Sequence, residues 1–521
     1  MRLMQGFLTA AAVAAVCAFA AASGGPAAQA PASSSPACAD LAGLELMDIR
    51  IGGAEAVAAA DGVPAHCRVT GVIETEINFE LLLPEAGDWN GRFLMGGGGG
   101  FVGSVQNQAR NLFAYGGGPL ERGYATVGTD TGHTGGGIDA SWALDHPERQ
   151  ENFGHRAIHL TAQAAKSIIG RYYDQGPDYS YFVGCSRGGG QAMMASQRYP
   201  EDFDGIVSAA PAYDWTGIAA GFVQNQQAIY PDGDVDSPVL TPATLELLGT
   251  SILAACDADD GVEDGMMTDP RQCGFRTADL PRCAGDRPAE GCVTAAQLAA
   301  IDRVYDGPTA NGESIHPGFN YGGENQQGGW DSWVVASPFR AAQGVPNAQF
   351  GFGTQLFKYF VFGDPDWDYT GYDFANWREE VAPTAAILDA VDPDLSAFRD
   401  HGGKIIYWTG WSDLALTPLG TIDYFEALAA GDAAARDYAR LYMLPGVLHC
   451  AGGPGPDRVD WVEAIRAWVE DDQAPERLVA SKLAADGSAT MTRPVCPYPQ
   501  VAVYDGTGDS NDEASFACAA P

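Results

Sequence analysis

The sequence predicts an α/β fold: a mostly parallel sheet covered by helices, built from two stretches of chain with a large insert between them. Three observations predict it. Strand and helix patterns alternate from about 75 to 215 and resume near 396, the signature of parallel strands joined by helical crossovers. A Gly-x-Ser-x-Gly turn at 184–188 falls between a strand pattern and a helix pattern. Between 216 and 395 the character changes: cysteines cluster at 256–292, Gly, Asn and Gln gather at 318–330, and aromatics crowd 350–377.

The elements follow in order. RFLMGGGGG (92–100) reads as a strand entering a glycine loop, and YATVGTD (124–130) as a second strand. Residues 155–173 carry a helical rhythm, YSYFVG (179–184) is a strand, 188–199 a helix, and DGIVSAA (204–210) a strand again. After the insert come the strands KIIYWTG (404–410) and RLYMLPG (440–446). The helix DRVDWVEAIRAWVED (457–471) then sets Val462, Ile465, Trp468 and Val469 on one face. The expected organisation is a core in two parts, 31–215 and 396–521, with a lid domain over 216–395. A chain of 521 residues exceeds the size at which one hydrophobic core stops growing, which favours two structural units. No repeat of solenoid length interrupts this pattern.

Charge and cysteines bound the setting. With 67 acidic and 29 basic residues the net charge is −38, which repels nucleic acid and anionic membranes. Residues 1–30 read as an export signal: Arg2, an apolar run of small residues at 7–22, then Ala28-Gln29-Ala30 as a cleavage site. The run is too short and too alanine-rich for a membrane span, so the mature chain is expected to be secreted or periplasmic, with its oligomeric state open. Ten cysteines remain beyond the signal, an even number without any CxxC pair. That argues for disulfides over zinc.

Gly184-Cys185-Ser186-Arg187-Gly188 has the form and the context of a nucleophile elbow, which makes the predicted fold an α/β-hydrolase core. The turn is so sharp that the serine's neighbours must be small. It also sets the backbone N–H of Arg187 at a helix N-terminus, where it can face an oxyanion. A serine needs a base, and the base a carboxylate. In this fold both come later, acid before histidine, each in a loop after a strand. Asp413 follows KIIYWTG and His449 follows RLYML. His401 precedes its strand and would lie at the wrong end of the sheet. Cys185 directly precedes the nucleophile and Cys450 directly follows the base, so a hydrogen-bonded Ser186–His449 pair would bring the two sulfurs within bridging reach.

CDADDGVEDGMM (256–267) places carboxylates at Asp257, Asp260 and Asp264. Hard oxygen donors at this spacing suit Ca²⁺. The loop is not an EF-hand, because Gly261 falls on the fifth position, where an oxygen side chain is needed, and Thr268 on the twelfth, where Glu belongs. The alternative is a solvated acidic turn in an acidic protein.

The Cys-Ser, Asp, His-Cys arrangement resembles the tannase/feruloyl esterase family. The likeness runs through WNGRFLMGGGGGF (89–101), TVGTDTGH (126–133), NFGHRAIH (152–159) and SYFVGCSRGGGQAMMASQRYPEDFDGIVSAAPA (180–212). It continues in FVFGDPDWD (360–368), DPDLSAFRDHGGKIIYWTGWSD (392–413) and PGVLHCAGGPGPD (445–457). The resemblance implies an α/β-hydrolase core with a lid and hydrolysis of carboxylic esters, usually of aromatic acids of galloyl, feruloyl or terephthaloyl type, through an acyl-enzyme. It also implies a structural calcium in the lid, held by Asp257, Asp260 and Asp264 with the carbonyls of Val262 and Met266. With proximity, it implies the pairs Cys38–Cys67, Cys185–Cys450, Cys256–Cys273, Cys283–Cys292 and Cys496–Cys518. The second oxyanion donor is expected from the glycine run, at Gly99 or Gly100. The chain departs from the family pattern at Arg187, where relatives carry a small residue, and at Thr409, where histidine is frequent. Arg187 is a candidate anchor for a substrate anion, and Trp330, Trp333, Phe357, Phe360, Trp367 and Trp377 are candidates to clamp an aromatic ring. Two other readings remain at this point: a general carboxylesterase, and a non-catalytic secreted calcium-binding adhesion module.

Overall fold

Every residue of the strand Ala125–Thr129 is buried, and so is every residue of Gly205–Pro211. These are strands covered on both faces. The computed structural model describes residues 37–60, 62–110, 113 and 117–521; the expected export signal lies outside them. Among the described residues seven strands precede the insert: β1 (Ile49–Val57), β2 (His66–Ile73), β3 (Ile77–Pro84), β4 (Arg92–Gly96), β5 (Ala125–Thr129), β6 (Tyr179–Ser186) and β7 (Gly205–Pro211). Helices α1 (Pro147–Glu151), α2 (Ala157–Tyr173) and α3 (Arg187–Arg198) lie among them.

The insert carries α4 (Trp215–Ile229), α5 (Pro242–Cys256), α6 (Ala295–Asp306), a short hairpin of β8 (Thr309–Ala310) and β9 (Glu313–Ser314), and then α7 (Trp330–Trp333), α8 (Pro338–Ala341), α9 (Ala348–Leu356) and α10 (Trp377–Leu388). The core resumes with α11 (Ser396–His401), β10 (Lys404–Gly410), α12 (Pro418–Gly431), α13 (Ala435–Tyr438), β11 (Ala439–Leu444) and α14 (Trp461–Asp471). Two hairpins close the chain, β12 (Leu478–Leu483) with β13 (Ala489–Val495), and β14 (Val501–Tyr504) with β15 (Phe516–Ala519).

Among the described residues the main sheet has nine strands in the order β1-β2-β3-β5-β4-β6-β7-β10-β11. From β5 to β11 every pairing is parallel, while β1, β2, β3 and β5 pair antiparallel. This is the α/β-hydrolase fold that the sequence predicts. Its antiparallel edge over 49–84 goes beyond the predicted strands, because β1 is Gly- and Ala-rich and only partly buried, so its alternation is weak.

The sheet reverses from β5 to β4, and β6 lies beside β4 at its centre, so the loops after β4 and β6 open at one edge of the sheet. The insert shares an apolar cluster with the core. Phe101, Trp142 and Phe153 pack with Trp215, Phe222, Phe357, Phe360 and Trp377. Residues on either side of the insert boundary therefore bury one another.

Candidate active site

Ser186 ends β6 and caps α3 with φ 63° and ψ −122°, a left-handed conformation that a side chain tolerates only when its surroundings hold it there. The flanking glycines make room for it. A Cβ on Gly184 would lie 2.4 Å from the Gly188 carbonyl, and one on Gly188 would lie 2.3 Å from Gln108 Oε1. The strain is held from below by a side chain. Gln108 Oε1 accepts the N–H of Cys185 at 2.8 Å, and its Nε2 donates to the Cys185 carbonyl at 3.2 Å. The carboxamide thus extends the sheet pairing by one residue at the turn.

His449 Nδ1 lies 2.8 Å from Asp413 Oδ2. The other oxygen, Oδ1, accepts the N–H groups of Ala415 at 2.9 Å and Leu416 at 3.0 Å. The carboxylate is fully buried, while the imidazole keeps a small exposed edge. Cys185 and Cys450 form a disulfide with their Cα atoms 5.9 Å apart, which sets the residue before Ser186 against the residue after His449. The other four expected bridges, Cys38–Cys67, Cys256–Cys273, Cys283–Cys292 and Cys496–Cys518, are closed as well.

The glycine loop after β4 runs beside the elbow. Gly98 N–H donates to Gln191 Oε1 at 3.2 Å, one turn into α3, and Gly99 N–H donates to Gln106 Oε1 at 2.8 Å. Of the two expected donors, Gly99 is therefore already engaged. The Gly100 N–H has no acceptor among the described residues. Gly100 has φ 57°, and a Cβ there would lie 2.2 Å from the Gly137 carbonyl, so only glycine fits. Behind the loop, His133 Nε2 pairs with the Phe101 carbonyl at 2.8 Å and its ring stacks on Trp142 at 3.5 Å. Burial pushes the His133 pKa down to about 4.

The Arg187 side chain does not serve as the expected substrate anchor. It is 1% exposed. Its Nη2 donates to the carbonyls of Phe153 and Gly154, and its guanidinium lies 4.3 Å from the Phe153 ring centroid and 5.7 Å from that of Trp215. Burial pushes its pKa down to about 9. Directed into the protein, it braces the elbow against the insert's first helix.

Among the six candidate ring-clamping residues, the structure separates one. Trp330 and Phe357 are fully buried, and Phe360 and Trp377 nearly so, while Trp367 stacks on Phe357 at 5.1 Å. These five are taken up in packing, Phe360 against Phe101, Trp142 and Phe153 of the core. Trp333 alone among them meets the histidine, edge to face at 5.1 Å. Phe352, which the sequence does not single out, stacks on Trp333 at 6.0 Å and meets Phe101 of the glycine loop at 5.5 Å. Phe352, Gln108 and Gln191 carry no local motif, and their partners are distant in sequence, while Gln106 serves Gly99 from within the same loop.

In the acidic loop, Asp257 Oδ1 accepts the N–H groups of Asp264 at 3.3 Å and Gly265 at 2.8 Å. Asp260 Oδ1 accepts from Val262 at 3.2 Å, and its Oδ2 accepts from the Thr268 N–H at 3.0 Å and hydroxyl at 2.7 Å. Asp264 Oδ1 accepts from Met266 at 3.2 Å, and its Oδ2 pairs with Arg493 at 2.8 Å. Burial first, then the charges of Asp260 and Asp257, raise the Asp264 pKa against the pull of Arg493. Like charges crowded in this way, with hard oxygens and free loop carbonyls beside them, fit a Ca²⁺ ion. Among the described residues no three acidic side chains converge into a cage by themselves, so the carbonyls of Val262 and Met266 would have to complete the set.

A mixed sheet with a parallel centre, a strained serine at its central turn and an Asp–His pair in loops after later strands define the class: an α/β-hydrolase. The chain belongs to the family described as tannase and feruloyl esterase, which matches residues 62–519. It is similar to an uncharacterized esterase of Xanthomonas campestris pv. campestris, at 36% identity covering 92% of this chain and 91% of that one. A second relative is the mono(2-hydroxyethyl) terephthalate hydrolase of Piscinibacter sakaiensis, at 35% identity covering 90% and 87%. The crystal structure of feruloyl esterase B from Aspergillus oryzae superposes with a TM-score of 0.80 at 25% identity, covering 92% of this chain and 98% of that one. Membership in an enzyme family rules out the non-catalytic adhesion reading. Among the described residues no helix is long and apolar enough to cross a membrane.

Proposed function

We propose that this chain is an exported serine esterase that hydrolyses esters of aromatic carboxylic acids through an acyl-enzyme on Ser186. The observation that carries the reading is the conjunction of three features. They are the Asp413–His449 hydrogen bond, the left-handed Ser186 and the disulfide that joins the neighbours of Ser186 and His449, and together they support His449 as the base for Ser186. Ser186 Oγ attacks the ester carbonyl carbon as His449 Nε2 takes its proton. Asp413 holds the imidazole tautomer and stabilises the cation that forms. The oxyanion is met by the N–H groups of Arg187 and Gly100. Collapse returns the proton to the departing alcohol, and water repeats the sequence on the acyl-enzyme to release the acid.

Trp333 beside the histidine, with Phe352 stacked on it, supports an aromatic acyl group, since a flat ring there gains burial plus roughly 0.5–1.5 kcal/mol per favourable ring pair. Methyl gallate, methyl ferulate, methyl benzoate and mono(2-hydroxyethyl) terephthalate should be turned over with higher kcat/KM than methyl butyrate. Equal or faster turnover of the butyrate ester would leave only the general carboxylesterase. Five disulfides among the described residues support an oxidising compartment. Ca²⁺ in the 257–266 loop would stabilise the insert and take no part in chemistry, because acyl transfer to serine needs no metal.

A further inference from the structure

We propose that Asn320 is a positioning residue for the catalytic acid: from the insert, it fixes the peptide that joins the loop of Asp413 to the loop of His449. The inference rests on the esterase reading above and adds part of the insert to the machinery of that site.

Asp413 closes a tight turn after β10. The Trp411 N–H donates to the Leu444 carbonyl at 2.9 Å, the Ser412 N–H to the Val447 carbonyl at 3.1 Å, and the Asp413 N–H to the Gly410 carbonyl at 3.1 Å. Val447 lies two residues before His449. The peptide unit between Trp411 and Ser412 therefore holds the histidine's loop through its N–H. In a planar trans peptide the carbonyl points the opposite way, and there Asn320 Nδ2 donates to the Trp411 oxygen at 2.8 Å. One rigid plane is thus tied at one end to the loop of the base and at the other to the insert. Turning that plane would displace Asp413, the next residue, and pull on the chain that carries His449.

The Asn320 side chain is buried, and its amide has one sensible orientation. The nitrogen faces two acceptors, the Trp411 carbonyl and the Tyr321 carbonyl at 2.9 Å; an oxygen in its place would meet both head on. A leucine would fill the same space, but only a donor can hold the carbonyl. The loop around Asn320 is itself anchored. Glu324 Oε1 accepts the Gly322 N–H at 2.7 Å and the hydroxyl of Tyr305, on α6, at 2.8 Å. Between these, Gly323 lies flat against both catalytic loops: a Cβ there would be 3.1 Å from Ser412 Cβ and 3.2 Å from Leu448 Cδ2. On the other side of Asp413 the insert reaches the same loop twice more. Gln349 Nε2 donates to the Leu414 carbonyl at 3.4 Å, and the Thr417 hydroxyl donates to the Gly318 carbonyl at 2.7 Å. Of these three bonds, only that of Asn320 acts on the peptide shared with the histidine's loop.

The test removes the donor and follows the acid–base pair directly. Asn320→Leu should lower kcat for p-nitrophenyl acetate by about ten- to a hundredfold, the cost of a small misplacement in a catalytic group, with KM within about twofold. Asn320→Ser, too short to reach the Trp411 carbonyl, should act alike and serves if leucine prevents folding. In either variant the downfield proton resonance of the His449–Asp413 hydrogen bond should shift or vanish. Gln224→Leu is the control. It removes a buried bond inside the insert, from α4 to the Arg303 carbonyl at 2.9 Å. It should leave the resonance in place and kcat within about twofold. Equal losses of kcat in Asn320→Ser and Gln224→Leu would reduce Asn320 to a packing residue and overturn the proposal. So would an unmoved resonance. If the parent chain hydrolyses no ester the esterase reading falls, and the resonance still decides whether Asn320 sets the acid.

Discussion

The disulfide Cys185–Cys450 spans 265 residues and joins the loops that carry the nucleophile and the histidine. The disulfide Cys256–Cys273 spans 17 and closes an acidic turn. Around the first, the bracing side chains come from far away in sequence: Gln108 reaches Cys185 across 77 residues, and Gln191 reaches Gly98 across 93. Around the second, the carboxylates of Asp257, Asp260 and Asp264 bond to N–H groups two to eight residues away. Arg493 is the distant exception. A catalytic centre is assembled from remote pieces and needs external bracing, whereas a loop of this kind largely organises itself and needs only a charge balance.

The strongest test of the first region is removal of its chemistry. Ser186→Ala, His449→Ala and Asp413→Asn should each leave a folded protein whose kcat falls by about 10⁴, without additivity in the double variants. A Ser186→Ala enzyme that keeps most of its activity toward p-nitrophenyl acetate would end the assignment.

Next in size is the bracing itself. Chain entropy assigns roughly 5 kcal/mol to a bridge across a loop of several hundred residues and roughly 3 kcal/mol to one of the shorter kind. Replacing Cys185 and Cys450 by serine should therefore lower Tm more than replacing Cys256 and Cys273. The first pair alone should also reduce kcat well below the unfolding temperature. If both pairs lose the same fraction of activity at 25 °C, the long bridge has no special part in positioning the site.

The acidic turn should respond to metal instead. EDTA should lower Tm and Ca²⁺ restore it, with a gain in stability of about 2.7 kcal/mol at a hundredfold excess over Kd, and Mg²⁺ should substitute poorly because it demands tighter octahedral geometry. Activity at 25 °C should stay unchanged. An Asp260→Ala protein with the same Tm and the same calcium content would reduce the loop to a solvated turn.

Mild acid separates the regions by sign. His133, behind the glycine loop, has its folded pKa lowered from 6.5 to about 4. The unfolded chain then takes up a proton first, so stability is lost as pH falls from 6.5 toward 4, by about 2 kcal/mol at pH 5. Asp264 has its folded pKa raised, so without metal its contribution runs the other way and grows as pH falls. His133→Gln should flatten the loss between pH 6.5 and 4 in denaturant titrations. An unchanged slope would show that the imidazole is not the group responsible.

Much of the first region is legible before any folding. Gly184 and Gly188 announce a turn too tight for a Cβ, and Ser186 between them can only be raised out of the sheet. The chain order Ser186, Asp413, His449, with each late residue placed after an apolar strand, follows from the parallel topology that the alternation imposes. These are local or ordinal properties, and they survive projection onto one dimension. The acidic turn is legible for the same reason, since its three carboxylates lie within eight positions of one another.

What only the tertiary structure decided concerns side chains whose environment is built by remote segments. Arg187 looks like a substrate anchor in the sequence, yet Phe153 and Trp215 enclose it. Of Gly99 and Gly100, only the fold shows that Gln106 has already taken the first N–H. Trp333 alone of the expected six meets His449, while the other rings pack within the insert or, like Phe360, against Phe101, Trp142 and Phe153 of the core. A backbone turn is dictated by the residues in it, but the direction and partner of a long side chain depend on which other segment occupies the space around it, and that is settled only when the chain packs.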